Sequence, residues 1–391
     1  MLKTFSWHFP VKIRFGIGIR REIAAAAKEL GAKKVFVVTG KTATKKSPYL
    51  EEIIESLKAA KLDVQIFAEV EADPSFETID KGAIAAKKFK ADLILGYGGG
   101  SPMDAAKFIS MLLTNSGSAA DYVHKKKEVK KQAIPLFTLP TTAGTGSEVT
   151  RVTVATDKGT GEKMGVLSPL MYAHTAFLDP EPHQTMPASV AAATGMDALT
   201  HAVEGYLSRF SDPISEGLCL EAIRLISESI RPSVAHGDNL EARGQMLLGS
   251  LIAGIGFTLP GTGAVHALAH ILGGKYGVPH GVANGMLLPY VMEYNRIANP
   301  EKFARIARAL GEPVDELTTL EAAHVAVDAM TNLRDDLGLP CCLEELSIPQ
   351  EDLPLIAKLA MNQRAIGNNV RKVTEQDLLS ILEAAYEHGC C

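Results

Sequence analysis

The feature that most limits what this chain can fold into is a change of period near its middle. Up to Leu178, short β-branched runs alternate with stretches of helical spacing; after Ala188 the spacing is helical almost throughout. Lys34–Thr39 (KVFVVT), Val64–Val70, Asp92–Tyr97 (DLILGY) and Ile134–Leu139 read as strands. Leu50–Ala60 and Thr78–Phe89 read as helices between them, and another follows the glycines after Tyr97 to about Leu113. Near-continuous apolar strands alternating with helices predict a parallel sheet covered on both faces. Phe5–Phe15 and Val152–Val166 read as hairpins, the second turning at Gly159–Gly161. In the second half, Ala198–Ser208, Ser215–Ile230, Asn239–Phe257, Gly285–Tyr294, Pro300–Leu310, Thr319–Leu337 and Leu353–Met361 all have helical spacing. The Pro-rich stretch Leu178–Pro187 separates the regimes, so an α/β domain with a parallel sheet over residues 1–182 and an all-α domain over 183–391 are expected.

Composition narrows the function classes. At 391 residues the chain exceeds one simple core, and 46% hydrophobic with 22% charged residues is ordinary for a globular protein. A net charge of −5 offers no basic field for nucleic acid or anionic lipid. The run Lys125, Lys126, Lys127, Lys130 and Lys131 reads as a solvated face. No signal peptide and no run long enough for a membrane span is expected. The five cysteines include no C-x-x-C spacing, and Cys341–Cys342 and Cys390–Cys391 are adjacent pairs, a poor geometry for a structural disulfide. A reduced, cytoplasmic protein with a frayed terminal Cys pair is the expectation.

Two loops carry the signal of a nucleotide site. In LILGYGGGSPMDAAK an apolar strand runs into Gly96, Gly98, Gly99 and Gly100, and a helix follows at once. Ser101 suits the N-cap, Pro102 the first helical position and Asp104 an aspartate version of the capping box. Glycines let a backbone approach an anion, and the helix N-terminus favours pyrophosphate. The spacing is not G-x-G-x-x-G, so the cluster alone is also compatible with a tight strand-to-helix turn. The second loop, LPTTAGTGSEVT, again follows a strand and offers Thr141, Thr142, Thr145 and Ser147. Two such loops at the ends of parallel strands suit a nucleotide crevice.

The helical half carries the sharper chemistry. Asp197 and His201 are four apart in GMDALTHAVEGY and share a helix face. His266 and His270 are likewise four apart in GAVHALAHILGG, and His280 follows in VPHG. Histidines in apolar surroundings suit a metal site, whose ligand atoms must come within roughly 3–3.5 Å of each other. The candidates are Asp197, His201, His266 and His280, with His270 left over nearby; a single buried histidine would more often be a core residue. Ala267 stands where a zinc protease has glutamate, so the motif is not H-E-x-x-H. Glu204 shares the Asp197 face, either to orient a ligand or as a solvated charge.

Together GGGSPMDAAK, LPTTAGTGSEVT, GMDALTHAVEGY and GAVHALAHILGGKYGVPHGVANGMLLP resemble the iron-dependent (group III) alcohol dehydrogenases, in order and over essentially the whole chain. The resemblance implies an N-terminal dinucleotide-binding α/β domain and an all-helical metal domain. It implies metal ligation by Asp197, His201, His266 and His280, with His270 beside nicotinamide and substrate; there His270 is a candidate for proton relay or orientation, against a merely structural histidine behind the ligands. It implies dinucleotide contacts at Gly98, Gly99, Ser101, Asp104, Thr141 and Thr142, with Gly100 in the same cradle, and further contacts at Lys163 and Leu178. Gly40 stands where NAD-preferring relatives often have aspartate, so NADP is allowed beside NAD, and Lys41 could favour it. Phe257 and Ala365 match positions bordering the substrate pocket. The expected reaction is hydride transfer between a small primary alcohol or aldehyde and NAD(P), with Fe(II) on family grounds and Zn(II) also compatible with the ligands. A homodimer is implied. The rivals are a zinc-dependent polyol enzyme like glycerol dehydrogenase, a dehydroquinate-synthase-like lyase, and a non-enzymatic metal- or nucleotide-binding scaffold. The lyase needs a basic cluster, for which only Lys275 and Arg209 are evident near the histidines.

Overall fold

The computed structural model describes residues 4–41 and 47–387. Cys390 and Cys391 lie outside the described residues. The chain forms two compact units. Among the described residues, one comprises Trp7–Thr142 and Gly146–Met186; the other comprises those from Pro187 onward with Ala143–Thr145 and those before Trp7.

The first unit holds strands β1 (Lys12–Phe15), β2 (Lys34–Gly40), β3 (Asp63–Val70), β4 (Leu93–Gly98), β5 (Leu136–Pro140), β6 (Val152–Thr156), β7 (Lys163–Leu167) and β8 (Thr175–Leu178). Six of them make one parallel sheet in the order β1-β8-β5-β4-β2-β3, as the alternating pattern predicts. Helices α1 (Ile23–Glu29), α2 (Pro48–Ala59), α3 (Phe76–Phe89), α4 (Gly100–Leu112) and α5 (Ala119–Val123) belong to the same unit. Central strands read as continuous apolar runs because both faces are covered: every residue of β4 and β5 is buried, and Val35, Phe36, Val37 and Val38 of β2 have no exposed surface. Burying each such side chain is worth about 1.5–3 kcal/mol, an upper bound because a real unfolded chain is already partly collapsed. The edge strands β1 and β3 leave Ile13 and Ile66 partly exposed. Ser47 and Ser75 cap α2 and α3 through their hydroxyls.

The hairpin expected at Val152–Val166 is the antiparallel pair β6–β7. The hairpin expected at Phe5–Phe15 is not formed. Only Lys12–Phe15 is strand, and it pairs in parallel with β8. Pro10 removes a backbone donor just before it, and its partner is some 160 residues away, beyond the reach of any local pattern. The cap expected at Ser101 also differs: α4 starts from Gly99, with no side-chain cap.

The second unit is all helix among the described residues: α6 (Ala188–Leu207), α7 (Pro213–Ala235), α8 (Leu240–Phe257), α9 (Ala264–Tyr276), α10 (His280–Arg296), α11 (Pro300–Ala309), α12 (Thr319–Asp336), α13 (Leu353–Ala360) and α14 (Glu375–Glu387). Its starts are written in the sequence: Asp212 and Thr318 make capping boxes, and Asn239 and Asn299 accept from backbone N–H groups. The central helix α6 packs against α7, α8 and α10 and is buried around most of its circumference from Gly195 onward. No described helix is long and apolar enough to cross a membrane.

Candidate functional site

Asp197 and His201 stand one turn apart on buried α6, and His266 projects from the first turn of α9. All three are buried, and each offers an atom within 4.8 Å of the others'. Asp197 Oδ1 lies 4.0 Å from His201 Nδ1, 4.0 Å from His266 Nε2 and 3.6 Å from His280 Nε2. His280, the first residue of α10, thus reaches Asp197 while standing outside the tightest trio. His270 joins the group, its ring stacked on His280 at 5.4 Å and edge-on to His266 at 6.2 Å.

Burial pushes the Asp197 carboxyl up, but His201, His280, His266 and the Asn284 donor outweigh this and hold it below the usual carboxylate range. Burial, then the neighbouring His201, drives His266 well below an ordinary imidazole. His266 is therefore neutral at physiological pH. His266 Nδ1 faces Glu204 Oε2 at 2.6 Å, while Glu204 Oε1 accepts from Val265 N–H at 2.7 Å. In its ionised form Glu204 can only accept, and that form puts the ring proton on Nδ1 and leaves the Nε2 lone pair facing Asp197. Glu204 therefore orients a candidate ligand and is not a solvated charge. Burial raises its carboxyl to about 7, against the pull of backbone donors at Gly263, Val265 and His266.

The residues fit a divalent ion. His201 Nδ1 is buried with no hydrogen-bond partner, a cost of about 1–3 kcal/mol that coordination would remove. Three imidazoles and one carboxylate suit Fe(II) or Zn(II). Phe257 lies flat against His201, with ring centroids 4.2 Å apart, and forms an apolar wall beside these atoms. Ala365 sits in a short turn just after Gln363, whose Oε1 is 3.4 Å from His270 Nδ1. A second donor group, Cys341, Cys342 and Glu345, is partly exposed and comes from one short segment, without a cage built by separate helices.

In the α/β unit the two glycine- and hydroxyl-rich loops lie side by side. Thr141 N–H donates to Gly98 O at 2.9 Å, and Gly98 pairs with Pro140 in the β4–β5 register. Gly98 has φ +140°, and a Cβ there would lie 2.8 Å from Pro102, so glycine is required. The Thr142 side chain stands against Gly99, at the N-terminus of α4, whose first N–H groups have no partner within the helix. Ser101 Oγ accepts from Asp73 N–H at 3.1 Å, and Asp73 pairs with Lys163 Nζ at 2.9 Å. Asp73 was not foreseen; the Asp-Pro step in EADPS was its only signal in the sequence, and the residue takes the left-handed region at φ 54°. Asp104 turns inward to the Ser147 hydroxyl and Val154 N–H, with buried Lys107 3.6 Å away, in place of the expected capping box. Gly40 ends β2, where an added Cβ would meet only Val70 O at 3.6 Å and Pro102 Cγ at 3.9 Å. Leu178 ends β8 with its side chain fully buried.

Asn284 was missed by sequence reasoning. It lies one turn beyond His280, fully buried, with Nδ2 2.6 Å from Asp197 Oδ1. Its i, i+4 spacing from His280 was the available signal.

Residues 10–180 match the iron-containing alcohol dehydrogenase family, and residues 191–386 match the C-terminal part of the Fe-containing alcohol dehydrogenase family. The chain is 38% identical to 1,3-propanediol dehydrogenase of Klebsiella pneumoniae, over 98% of this chain and 99% of that protein. It is 36% identical to NAD-dependent methanol dehydrogenase of Bacillus methanolicus, over 95% and 97% of the two chains. The fold matches the crystal structure of a 1,3-propanediol oxidoreductase with a TM-score of 0.94 at 39% identity, covering 98% of this chain and all of that one.

Proposed function

We infer the function from one premise: this chain belongs to the iron-containing alcohol dehydrogenase family. It is an oxidoreductase that transfers a hydride between an alcohol or aldehyde and a nicotinamide dinucleotide. The observation that carries the reading of its site is the convergence of Asp197, His201 and His266 in an apolar helical core, with the His201 Nδ1 atom lacking a partner.

Asp197, His201, His266 and His280 are assigned as the ligands of Fe(II), with Zn(II) able to compete for the same atoms. An ion held there supplies Lewis acidity, which lowers the pKa of an alcohol and polarises an aldehyde carbonyl. The chain's own groups do the rest. Glu204 fixes the tautomer of His266. His270, held against Gln363, is placed to orient the substrate or move its proton. Phe257 gives the substrate an apolar wall, and with Ala365 suits a small aliphatic chain. Gly98, Gly99, Gly100, Ser101, Thr141 and Thr142 cradle the pyrophosphate, while Asp73 holds Ser101 and Lys163 in register. Asp104 and Leu178 act through the shape of that cradle, since their side chains are turned inward. The dinucleotide role falls to residues 1–182 and the metal and substrate role to residues 183–391.

The substrate assigned is a small primary alcohol or its aldehyde, diols included; relatives named for 1,3-propanediol and methanol support this. With glycine at position 40 the protein accepts NADP as well as NAD. Few cysteines and no C-x-x-C spacing support a cytoplasmic location, and family membership supports a homodimer, which light scattering tests. The functional test is anaerobic reconstitution with Fe(II) or Zn(II), followed by NAD(P)H absorbance across short alcohols, diols and aldehydes. Metal-dependent turnover of a short primary alcohol is expected; no reduction of either dinucleotide by any of them would refute the reading.

A further inference from the structure

Asn284 lies on α10 one turn beyond His280 and has no exposed surface. Its Nδ2 donates to Asp197 Oδ1 at 2.6 Å and lies 3.3 Å from His266 Nε2 and 3.2 Å from His280 Nε2. Its Oδ1 is buried with no hydrogen-bond partner. One uncharged side chain thus touches three of the four groups assigned to the ion. We propose that Asn284 is a positioning residue of the metal site, fixing the rotation of the Asp197 carboxylate so that its Oδ1 faces the ring nitrogens of His201, His266 and His280. This rests on the metal reading above.

The physical case starts from the carboxylate. The terminal torsion of an aspartate is broad, so its helix position alone does not say where Oδ1 points. A short hydrogen bond to a charged acceptor fixes it. An amide carries two N–H groups. One of them anchors on Asp197 Oδ1, whose remaining lone pairs stay open to an ion, and the ring nitrogens of His266 and His280 keep theirs for coordination. The i, i+4 relation to His280 puts a ligand and its positioning group on one face of α10. A residue serving only to fill space here would not leave a buried oxygen unpaired at a cost of about 1–3 kcal/mol.

The test uses the full chain, stripped of metal, with Asn284→Leu, close in volume, and Asn284→Ala as alternatives should either fail to fold. Zn(II) affinity is measured by competition with a chromophoric chelator, beside NAD(P) affinity and thermal denaturation of the metal-free protein. The expected result is Zn(II) binding weakened roughly 10–100-fold with dinucleotide affinity unchanged. A lowered melting temperature with unchanged Zn(II) affinity in whichever variant folds would make Asn284 a packing residue and overturn the proposal. Failure of the parent chain to take up Zn(II) or Fe(II) would overturn the metal reading itself, an outcome distinct from failure at Asn284.

Discussion

Glu204→Gln probes how the metal site is built with almost no change of shape. Glu204 Oε1 accepts from Val265 N–H at 2.7 Å and Oε2 faces His266 Nδ1 at 2.6 Å. A glutamine can keep one contact as an acceptor. If its carbonyl stays on Val265, its NH2 must face Nδ1, which then has to accept. The ring proton moves to Nε2, the atom that faces Asp197 at 4.0 Å, and the lone pair needed for coordination is lost. The alternative, turning the carbonyl to His266, leaves Val265 N–H facing an NH2 inside the core. Either way a hydrogen bond to a charged group is lost, worth about 1.5–3 kcal/mol. That range corresponds to a metal dissociation constant raised roughly 10–100-fold, as is usual when a group behind a ligand is removed. The assay is chelator competition for Zn(II), with NAD(P) affinity as the control, since Glu204 belongs to the helical unit. A Gln variant that binds Zn(II) as tightly as the parent would refute the tautomer argument.

Three further outcomes follow from other parts of the structure. Gly40→Asp fits without a clash, because an added Cβ makes only ordinary contacts; like-charge repulsion of a 2′-phosphate, which costs several kcal/mol, should then lower kcat/KM with NADP by at least tenfold while sparing NAD. Unchanged NADP efficiency would show that the dinucleotide ribose does not reach position 40. Gly144→Ala would bring a Cβ within 2.8 Å of Thr194 Cβ and 2.9 Å of Thr194 O, so a loss of about 1–3 kcal/mol is expected in denaturant unfolding. Glu71 is pushed up by burial, but hydrogen bonds from Ser75 and Thr78 more than reverse this and hold it down at about 2. Its folded pKa is depressed below the unfolded one, so its contribution is fully present above the ordinary carboxylate range and fades as pH falls towards 2. The stability difference between the parent and Glu71→Gln should shrink over that window, and a difference independent of pH would contradict this.

The legible parts of the sequence were those whose causes are local. β2 and β4 announce themselves because strands covered on both faces are apolar along most of their length, Val35–Val38 in β2 and Leu93–Leu95 in β4. α8, α11 and α12 begin within one residue of the expected Asn239, Pro300 and Thr319, because cap residues act within three positions of the groups they satisfy, while α7 begins at Pro213, two residues before the expected Ser215. β8 was not legible: Thr175–Leu178 is four residues long and becomes a strand by pairing with β1 and β5. Ser101 failed as a cap for a similar reason, its hydroxyl being engaged from another loop by Asp73. At the metal site, spacing identified the pairs Asp197–His201 and His266–His270, but only packing brings α6, α9 and α10 to one point. Asn284 escaped because its i, i+4 spacing from His280 gains meaning only once α6 brings Asp197 against it.

The central claim is that these helices hold one divalent ion on which alcohol oxidation depends. Metal content after anaerobic Fe(II) loading and removal of free metal tests it most directly, on the parent chain and on Asp197→Ala, His201→Ala, His266→Ala and His280→Ala. The account expects a single ion per parent chain, loss of ion and of NAD(P)H formation in each variant, and retained dinucleotide binding in all. Variants that keep both the ion and turnover would contradict it.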